Sequence, residues 1–173
     1  MRKGAALRRA ASILALLCLA ALAPAGAASK PALAGTYAPA IALPIIANGS
    51  GSFVLAQQRG HGVYLNFFSS WCKPCTQEAS TIEAVTRDLP ASGPRVVGIA
   101  VLDSQASAQA FVRNHGVRYP IVFDRSGDVG AAYRLTELPL HVFIGPDGVI
   151  KQYVEGGPIS AAELRAGLAQ IAR

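Results

Sequence analysis

The chain has 173 residues, of which 51% are hydrophobic and 15% charged, with 16 Lys and Arg against 10 Asp and Glu. Four of the basic residues lie in the first nine positions, so the rest of the chain carries twelve basic and ten acidic residues, and its net charge is +2 rather than +6. The remaining arginines are scattered and form no basic stripe, which argues against a nucleic-acid partner.

The first 28 residues have the pattern of an export signal. A basic start is followed by an apolar run over residues 10–23, interrupted by Ser12, and then by small residues that end in Ala27-Ala28. This order is typical of a cleaved signal peptide. The 14-residue run is short for a membrane span, although a retained membrane anchor is the alternative. We therefore expect the protein to be exported to the periplasm, either soluble or tethered to the inner membrane, with the membrane as a partner only if the leader is retained.

A linker rich in Pro, Ala and Gly is expected over residues 29–38, followed by one domain over residues 39–173. About 145 residues remain after the leader, which is enough for a single domain with its own core. Of the three cysteines, Cys18 lies in the leader, so only Cys72 and Cys75 belong to the expected domain.

Two short apolar runs open the domain, at residues 41–46 and 53–55. Between them lies Asn48-Gly49-Ser50-Gly51, which predicts a peripheral β-hairpin. The next run, Val63–Phe68, is almost wholly apolar or aromatic, as expected for a strand covered on both faces.

The pattern becomes helical at Pro74. Glu83 and Arg87 have the spacing to pair on the exposed face of this helix. The apolar positions that recur at intervals of three or four residues are Ala79, Ile82, Val85 and Leu89.

Strands and helices then alternate, which indicates an α/β fold with a mixed sheet. Ser104 is a candidate helix cap and Gly116 a candidate helix stop, while Ser160 with Glu163 forms a capping-box signature. Strands are expected at residues 95–102, 121–123, 141–144 and 149–153, and helices at residues 104–115, 128–133 and from 160 onward.

The segment Trp71-Cys72-Lys73-Pro74-Cys75 lies where the buried strand gives way to the first helix. A cysteine at a helix N-terminus faces unpaired N–H groups and the positive end of the helix dipole, which stabilise its thiolate. Cys72 is therefore the expected nucleophile, and Cys75 can resolve the mixed disulfide that it forms. A purely structural disulfide is the alternative, but so short a loop removes little chain entropy.

The chain resembles the thioredoxin superfamily and, more narrowly, the exported TlpA/ResA-like thiol–disulfide oxidoreductases. The resemblance is carried by the segment 65–75, by Leu138-Pro139 before a strand, and by the final hairpin and helix. It covers roughly residues 37–172. It implies a thioredoxin-like α/β sandwich, with a mixed central sheet, an N-terminal β-hairpin and a central helix–strand insertion over residues 104–123.

The resemblance also implies roles for individual residues. Asn66 stands where cytosolic thioredoxins place a buried Asp, and Pro139 matches the cis-proline that faces the disulfide. Glu78 matches an acidic residue of the branch and is expected to relay a proton for Cys75, with a solvated carboxylate on the helix face as the alternative. The residues expected to contact the substrate are Trp71, Lys73, Pro74, Leu138 and Pro139, although Trp71 has a purely structural alternative.

Ser80 and Leu140-His141-Val142 depart from the pattern of the branch, and the second departure leaves the protein partner open. The resemblance implies an exported enzyme that reduces disulfides of partner proteins, in cytochrome c maturation or copper-centre assembly, and that a membrane electron donor recharges. No cofactor is expected beyond the redox-active disulfide Cys72–Cys75. The alternative is a Cu(I) metallochaperone that uses Cys72, Cys75 and His141, since thiolates suit that ion.

Overall fold

The computed structural model describes residues 33–172, and the predicted leader lies outside them. Continuous apolar runs form the central strands, and amphipathic segments form the helices that cover them. A short 3-10 helix spans Leu55–Gln58. Within the described residues the strands are β1 (Ala42–Ala47), β2 (Ser52–Val54), β3 (Val63–Phe68), β4 (Arg95–Val101), β5 (Ile121–Asp124), β6 (Leu140–Ile144) and β7 (Ile150–Glu155), and the helices are α1 (Lys73–Thr86), α2 (Gln105–Asn114), α3 (Asp128–Ala132) and α4 (Ala161–Ile171).

The described strands form one mixed sheet in the order β2-β1-β5-β4-β3-β6-β7. The three central strands β3, β4 and β5 are parallel, since α1 and α2 provide the crossovers between them. The remaining neighbours are antiparallel. The edge hairpin β1–β2 and the inserted α2–β5 pair are both present, so the predicted thioredoxin-like α/β architecture is confirmed.

The alternation of side chains along β3 separates two halves of the core. Leu65 and Phe67 face the side that holds Tyr133, near α3. Tyr64 and Phe68 face the opposite side, where α1, α2 and α4 cover the sheet. Because side chains alternate with a period of two, Asn66 lies on this second face, beneath α1.

Helix α4 packs closely on β6. Ser160 and Glu163 form the predicted capping box, and Leu164, Leu168 and Ile171 are buried, as expected. Gly167 is required here by packing, because a Cβ at this position would overlap the ring of Phe143. The close approach keeps α4 against the sheet face that carries Tyr64 and Asn66.

The expected exposed pair on α1 is wrong in one respect, because Glu83 is buried. Its carboxylate accepts hydrogen bonds from the backbone and side chain of Arg118, at 2.9 and 2.8 Å. Arg87 lies at 3.7 Å from the same carboxylate. A partner distant in sequence therefore turns Glu83 inward.

The segment expected to be a loose linker is in part a structured piece of the domain. Leu33 packs in the core, and the amides of Gly35 and Ala38 donate to the carbonyls of Ile150 and Gly148. These bonds fix residues 33–38 against the β6–β7 hairpin. No helix within residues 33–172 combines the length and the apolar character needed to span a membrane.

Candidate active site

The cysteine pair lies where β3 ends and α1 begins. Cys72 is the N-cap residue of α1, with extended backbone dihedrals, and its Sγ accepts a hydrogen bond from the Cys75 amide at 3.2 Å. Pro74 fits the first helical turn because its missing N–H needs no partner there. The two sulfurs are joined in a disulfide with a Cα–Cα distance of 5.3 Å.

The two cysteines differ in position rather than in burial, since Cys72 is 3% exposed and Cys75 is 2% exposed. The Cys72 sulfur lies opposite the amides of the helix start, a position where a thiolate is stabilised. Cys75 lies one turn deeper, within reach of a disulfide formed on Cys72. This geometry suits attack by Cys72 and resolution by Cys75.

An apolar surface lies beside the disulfide. Trp71 is 64% exposed, and its indole Nε1 donates to the carbonyl of Leu102 at 2.9 Å. Leu102 follows β4, is 63% exposed, and has a left-handed backbone with φ of 54°. Left-handed backbone is unfavourable for a leucine, and Asp103 braces this loop through the Ser70 amide at 2.6 Å. We name Trp71 and Leu102 together the apolar platform.

The loop before β6 completes the surroundings of the disulfide. Leu138-Pro139 is a cis peptide, as the resemblance implied. Pro139 is buried, and the half-buried Leu138 packs against the cluster that contains Cys72 and Cys75. Lys73 is exposed at the first position of α1. Of the residues expected to contact the substrate, Trp71 and Lys73 are thus exposed, whereas Pro139 is buried.

Glu78 is buried on α1, with only 2% of its surface exposed. Its Oε1 accepts from the Asn66 amide at 3.0 Å, and its Oε2 accepts from the Ile159 backbone N–H at 2.8 Å. A solvated carboxylate is therefore excluded. Glu78 lies three residues after Cys75 on α1, a spacing that places two side chains on the same side of a helix.

His141 joins this buried group from β6. It lies directly opposite Asn66 in the strand register, and its side chain is completely buried. Its Nε2 lies 3.2 Å from Glu78 Oε2, although the atoms are not aligned for a hydrogen bond. Its Nδ1 lies 2.9 Å from the Tyr64 hydroxyl. We name Tyr64, Asn66, Glu78 and His141 the buried polar network.

Tyr64 remains a neutral hydroxyl in this setting. Burial, with smaller contributions from the neighbouring charges of Tyr119 and Glu78, raises the pKa of Tyr64 well above its usual range. A neutral hydroxyl can donate one hydrogen bond and accept others. Tyr64 can therefore form a hydrogen bond with His141 in either protonation state of the imidazole.

No three His, Cys, Asp or Glu side chains come together as a metal-binding group within the described residues. Cys72 and Cys75 are bonded to each other, while His141 faces Glu78 and Tyr64. The three-residue copper set is thus not assembled in the oxidised protein.

Two residues of the site were not expected from the sequence. Tyr64 resembles any other aromatic residue of a buried strand, and only the pairing of β3 with β6 reveals its contact with His141. Leu102 is the last residue of the predicted strand 95–102, whereas β4 ends at Val101. Its exposed position depends on a backbone dihedral that sequence patterns do not predict.

Residues 34–153 match the AhpC/TSA family, well over half of the chain. The chain belongs to the AhpC/TSA family. This match runs from the ordered segment before β1 into β7 and so contains the cysteine pair, Glu78 and His141. It agrees with the thioredoxin-like fold described above.

Curated relatives are similar to part of the chain. The chain is 31% identical over 102 residues to the thiol–disulfide oxidoreductase ResA of Bacillus subtilis, covering 59% of this chain and 57% of that protein. It is 33% identical over 102 residues to ResA of Geobacillus kaustophilus, covering 59% of each. The matches thus span less than two thirds of these relatives. The resemblance to ResA-like oxidoreductases is confirmed.

Solved structures of similar proteins cover more of the chain. A secreted disulfide oxidoreductase of Mycobacterium tuberculosis, homologous to DsbE of E. coli, superposes with a TM-score of 0.68 at 26% identity. That match covers 75% of this chain and 95% of the other. DsbF of the same bacterium, in mixed oxidised and reduced forms, gives a TM-score of 0.69 at 25% identity, covering 83% of this chain and all of that one.

Proposed function

We propose that this protein is an exported enzyme, a thiol–disulfide oxidoreductase that reduces disulfide bonds of partner proteins. One observation carries the proposal above the others. The pair Cys72–Cys75 can form a disulfide, and its first sulfur caps a helix at a site bordered by an exposed apolar surface. The names of the ResA and DsbE relatives support the same reaction class.

The reaction requires two exchanges. The Cys72 thiolate attacks a partner disulfide, forming a mixed disulfide and releasing one partner sulfur as a thiolate. Cys75 then loses its proton, attacks Cys72 and releases the second partner sulfur as a thiolate. The partner gains two electrons, and the enzyme ends with the Cys72–Cys75 disulfide. Glu78 is the group proposed to take the Cys75 proton.

Export and partners belong to the same proposal. The leader pattern over residues 1–28 and the secreted mycobacterial relative support a periplasmic location, soluble or tethered to the inner membrane. An oxidised enzyme outside the cytoplasm needs a dedicated source of electrons, so a membrane electron donor is the proposed second partner. Apocytochrome c or a copper-centre assembly protein is the proposed substrate.

The redox potential of the Cys72–Cys75 couple tests the proposed direction. Potentials for this fold range from about −270 mV in thioredoxin to about −120 mV in DsbA, and a reductant belongs near the first value. The measurement is equilibration of the protein with glutathione buffers, followed by quantification of the free thiols. A potential near the DsbA value would contradict the reductase role and leave an oxidase role in its place.

The apolar platform is proposed to bind apolar residues that flank the partner cysteine. Leu102→Asn is expected to raise KM for a protein disulfide about fivefold with little change in kcat, because buried apolar contact is lost. Asparagine tolerates left-handed backbone, so the loop conformation is preserved.

Tyr37→Ser is the matched control for this substitution. Tyr37 is another exposed large apolar residue, but it pairs with Val149 at the β6–β7 turn. That turn lies at the end of β3 opposite the cysteine pair, because Val63 pairs with Ile144 there. An equal rise in KM in both variants would refute a specific role for Leu102.

A further inference from the structure

His141 lies in the site without a part in the exchange steps themselves. It is completely buried, and its two ring nitrogens face different partners, Glu78 on one side and Tyr64 on the other. Histidine changes charge closer to neutral pH than other side chains do. His141 lies beside the buried Glu78 carboxylate, and the two side chains together can carry either one hydrogen, on the neutral imidazole, or two.

We propose that His141 is a positioning residue that, together with Tyr64, holds the proton that Glu78 takes from Cys75 during resolution. The inference rests on the proposed exchange reaction and on the role of Glu78 within it. It gives the buried polar network a second role, which is to hold a proton, in addition to orienting the Glu78 carboxylate.

The network can accept one proton without losing a contact. Before resolution, His141 Nδ1 carries the ring hydrogen and donates it to the Tyr64 oxygen across 2.9 Å, and the unprotonated Nε2 lies 3.2 Å from Glu78 Oε2. Nε2 takes the proton from Glu78, so both ring nitrogens then carry hydrogen. The Tyr64 oxygen accepts from Nδ1 in both states, because a hydroxyl oxygen can accept as well as donate.

The bonds, electrons and protons of the resolution step can be followed one by one. The Cys75 thiol gives its proton to the Glu78 carboxylate, and the Cys75 sulfur attacks the Cys72 sulfur. The bond between Cys72 and the partner breaks, and the partner sulfur leaves as a thiolate with the bonding electrons. The proton passes from Glu78 to His141, leaving an imidazolium beside a carboxylate. No further oxidant or reductant is required.

The surroundings favour this final state. The Asn66 amide and the Ile159 N–H both donate to Glu78, and such bonds favour the charged carboxylate over the acid. A buried carboxylate without a countercharge is costly, whereas an adjacent imidazolium compensates it. Protonated His141 would therefore supply a countercharge to the buried Glu78 carboxylate.

The other titratable groups near the pair cannot supply that positive charge. They are Tyr64 on β3, Tyr119 before β5, and Glu163 at the start of α4. The pKa of Glu163 is lowered mainly by its hydrogen bonds with Ser160 and in smaller part by His141. Tyrosine and glutamate become neutral or negative, so among these neighbours only His141 can become a cation.

The test separates resolution from the first attack. Reduced protein is mixed with the aromatic disulfide dithiobis-nitrobenzoate in a stopped-flow instrument across a range of pH. Each exchange releases one coloured thiolate, so the first phase reports attack by Cys72 and the second reports resolution by Cys75. His141→Gln retains a side-chain N–H but cannot take up a proton.

We expect His141→Gln to slow the second phase about tenfold near neutral pH, below the usual range for direct general acid–base catalysis, with the first phase unchanged. The inflection of the second phase that lies nearest neutral pH should disappear. Tyr64→Phe, which removes the hydrogen-bond acceptor for the Nδ1 hydrogen of His141, should slow the same phase to a smaller extent.

Tyr133→Phe is the matched control, since it removes a buried hydroxyl on the opposite face of the sheet, where Tyr133 donates to Pro39 O. It should leave both phases unchanged. An unaltered second-phase rate and pH profile in His141→Gln, alongside a slow second phase in Glu78→Gln, would overturn the inference and leave the proposed function standing. If the wild-type protein showed no first phase, the proposed function would instead be refuted.

Discussion

Cys72→Ser is expected to abolish disulfide exchange, lowering the rate by roughly a thousandfold or more, the scale seen when a catalytic nucleophile is removed. Serine retains the capping geometry, because its hydroxyl can accept from the Cys75 amide as the sulfur does. It does not ionise near neutral pH, so no nucleophile remains at the helix start. The measurement is the reduction of a model protein disulfide in the presence of excess dithiol.

Cys75→Ser provides the contrast. This variant keeps Cys72 at the cap and lacks only the resolving thiol, so it should react once and accumulate a covalent complex with the substrate. The complex should be visible on a non-reducing gel and should disappear when dithiol is added. If Cys72→Ser retained exchange activity, or if Cys75→Ser formed no complex, the assignment of the two sulfurs would be wrong.

Glu78→Gln is expected to slow resolution by Cys75 about a hundredfold, the lower end of the usual range for general acid–base catalysis. Glutamine fills the same space and can still accept from the Ile159 N–H. It cannot take a proton from a thiol, so the pH dependence of resolution should flatten. The second phase of the stopped-flow reaction described above measures this directly.

Glu83→Gln is the matched control for Glu78. Both carboxylates are buried on α1, but Glu83 contacts Arg118 rather than Asn66 and His141. Its replacement should lower stability without changing the pH dependence of either phase. Flattening of the pH profile in both variants would indicate a general effect of buried charge and would remove the specific role of Glu78.

Much of the fold could be predicted because local signals and tertiary structure agree. Val63–Phe68 forms β3 over the predicted span, since a short continuous apolar run is typical of a strand that is covered on both faces. The capping box of Ser160 and Glu163 likewise acts within one helical turn. Cys72 was identifiable for the same reason, because its chemistry follows from a helix start that lies next to it in sequence.

The remainder depends on contacts between segments distant in sequence. Glu83 was expected on the surface because its i,i+4 partner is visible in the sequence, whereas Arg118 is not. His141 could be placed on a strand, but its neighbours follow from the register that sets it opposite Asn66. Leu33 and the segment up to residue 38 lack any periodicity, yet they are ordered by hydrogen bonds to a hairpin more than a hundred residues away.

The bond from the Ile159 amide to Glu78 crosses 81 positions of the chain and uses only the backbone of its donor. Side-chain changes at position 159 therefore keep the N–H donor itself, and proline is the natural residue that would remove it. The amide proton of Ile159 also senses the carboxylate directly. The chemical shift of this amide proton in an NMR titration therefore reports the charge of Glu78 in the intact protein, without any substitution.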